Sequence, residues 1–299
     1  MSRQAHGYFY LALAMLTVGS TVIASKLIAS GLPPFSATAL RFALAFPILL
    51  VAMRVTGVRL PKLSKKDCLI LVIQAGAGSV GYTTLLISGL RLTSAAGAGV
   101  IIGTLPVVSA AISILLLGER PKPALLVAVA LATAGVFSIA FSPDASGGSF
   151  SGNALIFCAV VCEGLFILLN KRLRAVIPPL AQSTLMAGIG LVVAIIPAVF
   201  EAPVAPGISA SAVVAVVYYA LVPTVGGFLL WYAGAARVSG TEAALFTALA
   251  PVSAVMLAFL ILGEPVGLNQ IAGIACVLAA VLGLALADSR VALKISGGR

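Results

Sequence analysis

The stretch GTLPVVSAAISILLLGERP, residues 103–121, is matched by ALAPVSAVMLAFLILGEPV, residues 248–266. Aligned without a gap, both copies have proline at the fourth position and Gly-Glu at positions 16 and 17, and they start 145 residues apart. The same offset pairs identical residues elsewhere in the chain: Lys26 with Lys171, Gly81 with Gly226, and Gly89 with Gly234. One offset that holds along the chain indicates an internal duplication.

The composition predicts a membrane protein. Of the 299 residues, 61% are hydrophobic and only 9% are charged, and the mean hydropathy is +1.20. A soluble domain carries about 25% charged residues, so this chain lacks the polar surface that a globule in water needs. Apolar stretches of roughly 20 residues fit a bilayer as helices. The first of them, from Tyr8, is longer than the core of a signal peptide, and we interpret it as a true span.

We therefore predict an all-α polytopic membrane protein with ten transmembrane helices arranged as two inverted five-helix repeats. The first repeat covers residues 1–142, a linker covers 143–151, and the second repeat covers 152–299 with a short cytoplasmic tail. The predicted spans 1 to 10 are residues 7–30, 36–53, 68–90, 95–117, 124–142, 152–170, 180–200, 211–233, 241–262 and 268–287. Because five is an odd number, the second repeat enters the membrane upside down.

Basic residues predict the orientation. Fifteen of the 18 lysines and arginines fall on one side of the predicted spans, and only Lys26, Arg41 and Arg91 fall on the other. Cytoplasmic loops carry the excess of basic residues, so both termini are predicted to be cytoplasmic, in a bacterial inner membrane. The net charge of +10 is then a topology signal with some attraction to membrane lipid, and it does not indicate nucleic-acid binding.

Inverted repeats can rock against each other and open a central site to either side in turn, which is alternating access. We predict a transporter on this ground. A symmetric scaffold or a channel is the alternative interpretation of the same duplication.

The pattern resembles a known family. A five-plus-five duplication, with Ser94-Ala95-Ala96 ahead of a proline-broken span that ends in Gly-Glu, is similar to the drug/metabolite transporter superfamily and specifically to its EamA-type exporters. Within that family the chain resembles bacterial exporters of amino acids, including aromatic amino acids. The resemblance implies a central cavity lined mainly by spans 1, 3, 4, 6, 8 and 9.

Two prolines are predicted hinges. Pro106 and Pro251 lie near the middle of spans 4 and 9, where a proline removes a backbone hydrogen bond and kinks the helix. The alternative is that both prolines only shape static packing.

Glu163 is the carboxylate placed deepest in a predicted span. A charge in hydrocarbon costs several kcal/mol, so an ionisable residue there is a functional candidate. Glu163 could bind a substrate amine or carry a proton; alternatively it is structural, protonated or bonded to a neighbour such as Asn170. Lys26 and Arg41, near the outer ends of spans 1 and 2, could snorkel to the interface or bind a carboxylate.

A small zwitterion with an apolar side chain needs a few hydrogen-bonding groups on mostly apolar walls. The predicted cavity residues supply such groups: Ser20, Thr21, Gln74, Ser79, Tyr82, Thr83, Thr104, Glu163, Tyr218, Tyr219, Phe246 and Thr247. Trp231 belongs to the same helices, although it could instead anchor span 8 at the membrane interface.

Nothing in the sequence predicts catalysis. His6 is the single histidine, no acid–base pair or phosphate loop is present, and Cys158 and Cys162 have no further ligand beside them. We expect no enzyme activity, no cofactor and no metal.

The predicted function is export of small metabolites, with aromatic or other apolar amino acids as substrates, by alternating access. We expect a monomer whose partners are a small-molecule substrate and membrane lipid. Two alternatives remain: transport of phosphorylated or nucleotide-linked sugars, which needs cations in the cavity that no span centre supplies, and a passive facilitator or channel.

Overall fold

The computed structural model describes residues 3–117, 127, 130–131, 149–201, 207–238, 246, 249–268, 270–276 and 278–279, and these residues contain helices but no strand. Most of predicted span 5, half of predicted span 10 and most of the linker 143–151 lie outside them. The helical elements in chain order are α1 (Arg3–Ala29), α2 (Pro34–Val55), α3 (Lys65–Gln74), a first π-segment (Ala75–Gly81), α4 (Tyr82–Leu90), α5 (Ala95–Ile102), α6 (Leu105–Leu117), α7 (Phe150–Arg172), α8 (Pro179–Ala198), α9 (Ala210–Tyr219), a second π-segment (Ala220–Gly227), α10 (Phe228–Ala235) and α11 (Leu249–Leu262).

Six helical stretches among the described residues are long and apolar enough to cross a membrane, and they correspond to predicted spans 1, 2, 3, 6, 7 and 8. Large apolar side chains also cover the outside: Val51 is 59% exposed and Phe200 is 84% exposed. Such exposure is unfavourable in water and neutral in lipid, so these surfaces fit a hydrocarbon environment. The chain is an all-helical, multi-pass membrane protein, and the described residues do not establish the count of ten helices.

The 145-residue offset recurs in how the helices begin. Pro34 and Pro179 each occupy the first position of a helix, where proline loses no hydrogen bond. Ser64 and Ser209 each cap a helix, accepting hydrogen bonds from the amides of Asp67 and Ala212. Equivalent residues therefore start equivalent helices in the two halves.

The offset also recurs at two wide turns inside long helices. The first π-segment starts at Ala75 and the second starts at Ala220. Single π-helical turns are uncommon and concentrate at functional sites. Their presence at equivalent positions makes both of them part of the duplicated architecture.

Packing follows the same symmetry. Helix α1 packs on α9, α10 and α11, while α7 packs on the equivalent elements α3, α4 and α6; α2 packs on α8. Close approach depends on glycine, because a Cβ on Gly19 would lie 2.8 Å from the Ala250 carbonyl oxygen, and one on the equivalent Gly164 would lie 2.9 Å from Ile112.

One end of the bundle is tied by charged side chains that bind backbone groups; we call this end the latch. The Lys26 ammonium donates to the carbonyl oxygens of Leu90 and Thr93, at 2.9 and 2.7 Å. Arg91 donates to the carbonyl oxygens of Ala29 and Leu32, at 3.2 and 2.9 Å. Lys26 and Arg91 are thus bound to carbonyl groups at the ends of α1 and α4 and in the connections that follow them.

Two glutamates of the second repeat complete the latch by capping helices of the first. Glu264 accepts hydrogen bonds from the amides of Ala95 and Ala96 at the start of α5, at 3.0 and 2.9 Å. Glu201 accepts from the amides of Phe35 and Ser36 at the start of α2, at 2.9 and 2.7 Å. Carboxylates are stabilising at helix N-termini because the free amides and the helix dipole favour negative charge there.

Candidate functional site

A cavity of about 90 Å³ lies inside the bundle. Its walls come from predicted spans 1, 2, 3, 4, 6, 8 and 9. Most of the lining is apolar or aromatic, including Met15, Phe166, Ile167, Phe228 and Trp231. Such walls with a few polar groups are typical of small-molecule sites.

Irregular backbone borders the cavity. Gly78 and Ser79 belong to the first π-segment and Pro223 and Gly227 to the second, and all four line the cavity. Non-helical or widened backbone inside a membrane is tolerated where protein or a cavity can satisfy its polar groups. The two π-segments therefore place widened helical backbone at the wall of the cavity.

The structure describes the backbone at both predicted hinges. The break in span 4 is at Gly103 and Thr104, between α5 and α6, and Pro106 follows as the second residue of α6. A proline in the first helical turn loses no hydrogen bond, so Pro106 restarts the helix after the break. Pro251 is buried in α11, which the structure describes from Leu249 onward. Hinge motion at either proline stays a prediction.

Six of the predicted cavity residues line the cavity: Thr21, Ser79, Tyr82, Thr83, Glu163 and Tyr219. They come from four separate predicted spans. No single span contains all six residues, so the packing of the four spans brings them together around the cavity.

Other predicted residues have partners elsewhere. The Tyr218 hydroxyl donates to Ser20 at 2.8 Å, and Ser20 donates to the Thr17 carbonyl oxygen. Gln74 is fully buried and donates to the Phe166 carbonyl oxygen at 3.1 Å. None of these three side chains is among the cavity lining.

Two more predicted cavity residues also lie away from the lining, and a third is not described. Thr104 donates to the Ile101 carbonyl oxygen at 2.7 Å. Phe246 stacks on Tyr8, with ring centroids 5.4 Å apart. Thr247 lies outside the described residues.

Glu163 is partly exposed, on the wall of the cavity. Its carboxylate forms no hydrogen bond with another residue that the structure describes. The predicted alternative partner, Asn170, instead accepts a hydrogen bond from Gln182. Glu163 is therefore available to a solute in the cavity.

Arg41 is the main residue that the sequence interpretation placed wrongly. Snorkelling to the interface is wrong, because the side chain is only 5% exposed and lines the cavity. No lysine or arginine was placed at a span centre, but the inference that the cavity therefore lacks a cation is wrong, because Arg41 lines it from the second turn of α2. A long side chain two turns into a helix can point outward or inward, so the available signal was an arginine inside an apolar run, which is itself a functional candidate.

Trp231 lines the cavity, so the interface-anchor alternative is not needed to explain its position. No group of three or more histidine, cysteine or acidic side chains that could hold a metal occurs among the described residues. Cys68, Cys158, Cys162 and Cys276 are free thiols.

A profile of the EamA-like transporter family matches residues 5–141 and again residues 150–286. The two matches together cover most of the chain, and they begin 145 residues apart, the offset seen in the sequence and in the helices. The chain belongs to the EamA-like transporter family. It is therefore a membrane transporter of the drug/metabolite kind, and this identity describes a transporter rather than an enzyme.

Individual relatives agree with this family. The chain is 35% identical over 288 residues to an uncharacterized transporter, YetK, of Bacillus subtilis (strain 168), covering 94% of this chain and 87% of that protein. It is 28% identical over 255 residues to a probable terminal-alkyne amino-acid exporter of Streptantibioticus cattleyicolor, covering 84% of each protein.

A solved crystal structure has the same fold as this EamA-like transporter. The TM-score is 0.65 at 21% sequence identity, and the match covers 96% of this chain and 99% of the other. At that identity the likeness concerns the fold alone.

Proposed function

We propose that this EamA-like transporter exports amino acids with aromatic or other apolar side chains across the bacterial inner membrane by alternating access. The transporter works as a monomer of ten transmembrane helices in two inverted repeats, with both termini in the cytoplasm. The observation that supports this proposal most directly is the cavity, whose apolar and aromatic walls include the carboxylate of Glu163 and the guanidinium of Arg41. This set matches a solute with an ammonium group and a hydrophobic side chain.

The chemistry of the walls supports the side-chain class. Phe166, Phe228 and Trp231 offer flat apolar surfaces for an aliphatic or aromatic group, and burial of such a group releases about 25 cal/mol per Å². Glu163 provides an opposite charge for the ammonium in a site of low polarity, where charge-assisted hydrogen bonds are strongest. The Streptantibioticus relative, named as a probable exporter of one amino acid class, supports the same direction.

Arg41 places a cation in the cavity, and a cation is what the alternative substrates, phosphorylated or nucleotide-linked sugars, would need. The lining nevertheless carries one positive and one negative side chain. A phosphorylated or nucleotide-linked sugar has at least two negative charges at neutral pH, so Glu163 would repel it as Arg41 attracts it. A zwitterion satisfies both charges, which favours amino acids.

The test is an uptake screen in proteoliposomes with the purified chain, using labelled leucine, phenylalanine, a sugar phosphate and a nucleotide sugar, each with and without a pH gradient. We expect saturable uptake of the two amino acids and none of the phosphorylated compounds. Stimulation by the gradient indicates proton coupling, and its absence indicates facilitation. Uptake of neither amino acid contradicts the proposal.

A further inference from the structure

Arg41 joins the two repeats at the edge of the cavity. From α2, its guanidinium donates to the Ser79 carbonyl oxygen in the first π-segment at 2.8 Å, and to the Thr224 hydroxyl in the second at 3.4 Å. It also lies 4.1 Å from the ring centroid of Phe42 and 4.6 Å from that of Tyr219. The side chain is therefore held in one orientation before any solute arrives.

This arrangement leaves donors unused. A guanidinium has five N–H groups, and residues that the structure describes accept from two of them. The Arg41 Nε is buried and without a hydrogen-bond partner, and so is the nearby Ser79 hydroxyl. A buried donor without an acceptor costs about 1–3 kcal/mol, more when it is charged, and the described protein groups do not supply the missing acceptor.

Among the residues that the structure describes, no carboxylate forms a direct ion pair with Arg41. Glu163 shares the cavity and interacts electrostatically with Arg41, but the two form no direct ion pair, and the contacts of Arg41 are otherwise neutral groups and rings. An anionic group that enters the cavity would supply both the acceptor atoms and a counter-charge.

The duplicated framework carries apolar residues at the two positions equivalent to Arg41 and Glu163. The residue equivalent to Arg41 in the second repeat is Met186, which is fully buried. The residue equivalent to Glu163 in the first repeat is Val18, which lines the same cavity. Each charge therefore replaces an apolar residue in only one half of a symmetric framework, which is expected of residues kept for an asymmetric ligand.

We propose that Arg41 is a substrate-binding residue, whose guanidinium holds the carboxylate of the transported solute while Glu163 faces its ammonium group. This inference deepens the proposed function and rests on it for the identity of the solute. A planar carboxylate fits the guanidinium through two parallel hydrogen bonds, which a lysine ammonium cannot reproduce.

The test measures binding with three probes that share one hydrocarbon chain. Leucine carries both charged groups, 4-methylpentanoate lacks the amine, and 3-methylbutylamine lacks the carboxylate. Trp231 is the single tryptophan of the chain and lines the cavity, so its fluorescence reports occupancy directly. The full-length protein in detergent is titrated as wild type, Arg41→Gln, Arg41→Lys and Arg54→Gln. Arg54 is exposed on the same helix and provides the matched control.

We expect Arg41→Gln to weaken leucine and 4-methylpentanoate by about 10-fold or more, and to change 3-methylbutylamine by less than about twofold. Arg41→Lys gives an intermediate loss, and Arg54→Gln matches wild type. An equal loss for all three probes shows a purely structural brace and overturns the proposal, as does no loss for any probe or a wild type that binds neither carboxylate. Binding of carboxylates without amino-acid uptake in the liposome screen leaves the role of Arg41 standing and removes the amino-acid proposal.

Discussion

Glu163→Gln is expected to reduce leucine uptake into proteoliposomes by about 10- to 100-fold, the equivalent of about 1.5–3 kcal/mol for a hydrogen bond to a charged group. The substitution keeps the size of the side chain and removes only its charge. Glu163 has no hydrogen bond to another described residue and borders the cavity, so the loss falls on the solute and not on the fold. Thermal unfolding of the variant should therefore match that of wild type.

Two comparisons make this prediction specific. Glu163→Asp retains the charge on a side chain one methylene shorter, and we expect it to recover part of the uptake. Glu163→Gln should reduce the uptake of leucine more than the uptake of 4-methylpentanoate, because 4-methylpentanoate has no ammonium group for Glu163 to bind. Wild-type leucine uptake by Glu163→Gln would contradict the assignment, and so would a large fall in its unfolding temperature.

Glu264→Ala is expected to open the latch end of the bundle. Gly263, with a φ of +64°, ends α11 in the left-handed conformation that favours glycine, and the next residue can then turn toward α5. The Glu264 carboxylate caps the amides of Ala95 and Ala96 there. Alanine removes both charge-assisted hydrogen bonds between the repeats and should shift the access equilibrium by about 10-fold or more toward the open latch.

The measurement is the rate at which a membrane-impermeant thiol reagent, added on the latch side, modifies Ser79→Cys. Ser79 lines the cavity, and the four native cysteines are replaced beforehand. We expect about 10-fold faster labelling with Glu264→Ala, and an intermediate rate with Glu264→Gln, which keeps one acceptor. The exposed Lys66→Ala is the control and should leave the rate unchanged. Slower labelling or no change with Glu264→Ala would show that this contact does not hold the latch closed.

The repeated stretch that ends in Gly-Glu predicted part of the fold, but it did not predict the contact that Glu264 makes. The sequence predicted spans that begin at residues 36 and 180, and the structure starts the corresponding helices at the equivalent residues Pro34 and Pro179. It did not reveal that Glu264 caps a helix of the other repeat, because that contact joins residues 169 positions apart. Helix periodicity and charge counts describe one span at a time, whereas a cap between repeats depends on how the spans pack.

The two π-segments and Arg41 show the same limit at the site. AGAGSVG at residues 75–81 and ALVPTVGG at residues 220–227 contain small residues and one proline, which predict weak helix but not a widened turn. Whether a carbonyl pairs four or five residues along is decided by neighbouring groups, such as Thr224, whose hydroxyl donates to the Tyr219 carbonyl oxygen at 2.8 Å. The direction of the Arg41 side chain likewise depends on Phe42, Ser79 and Tyr219.

The central claim is that this transporter carries amino acids through a site reached from one side at a time. The most direct test measures the efflux of labelled leucine from proteoliposomes, with and without unlabelled leucine outside. A carrier that alternates returns faster when loaded, so external leucine should accelerate the efflux of the labelled solute. Efflux that does not respond to external leucine would indicate a channel, and efflux equal to that of empty liposomes would indicate that leucine is not carried. Either result would contradict the account.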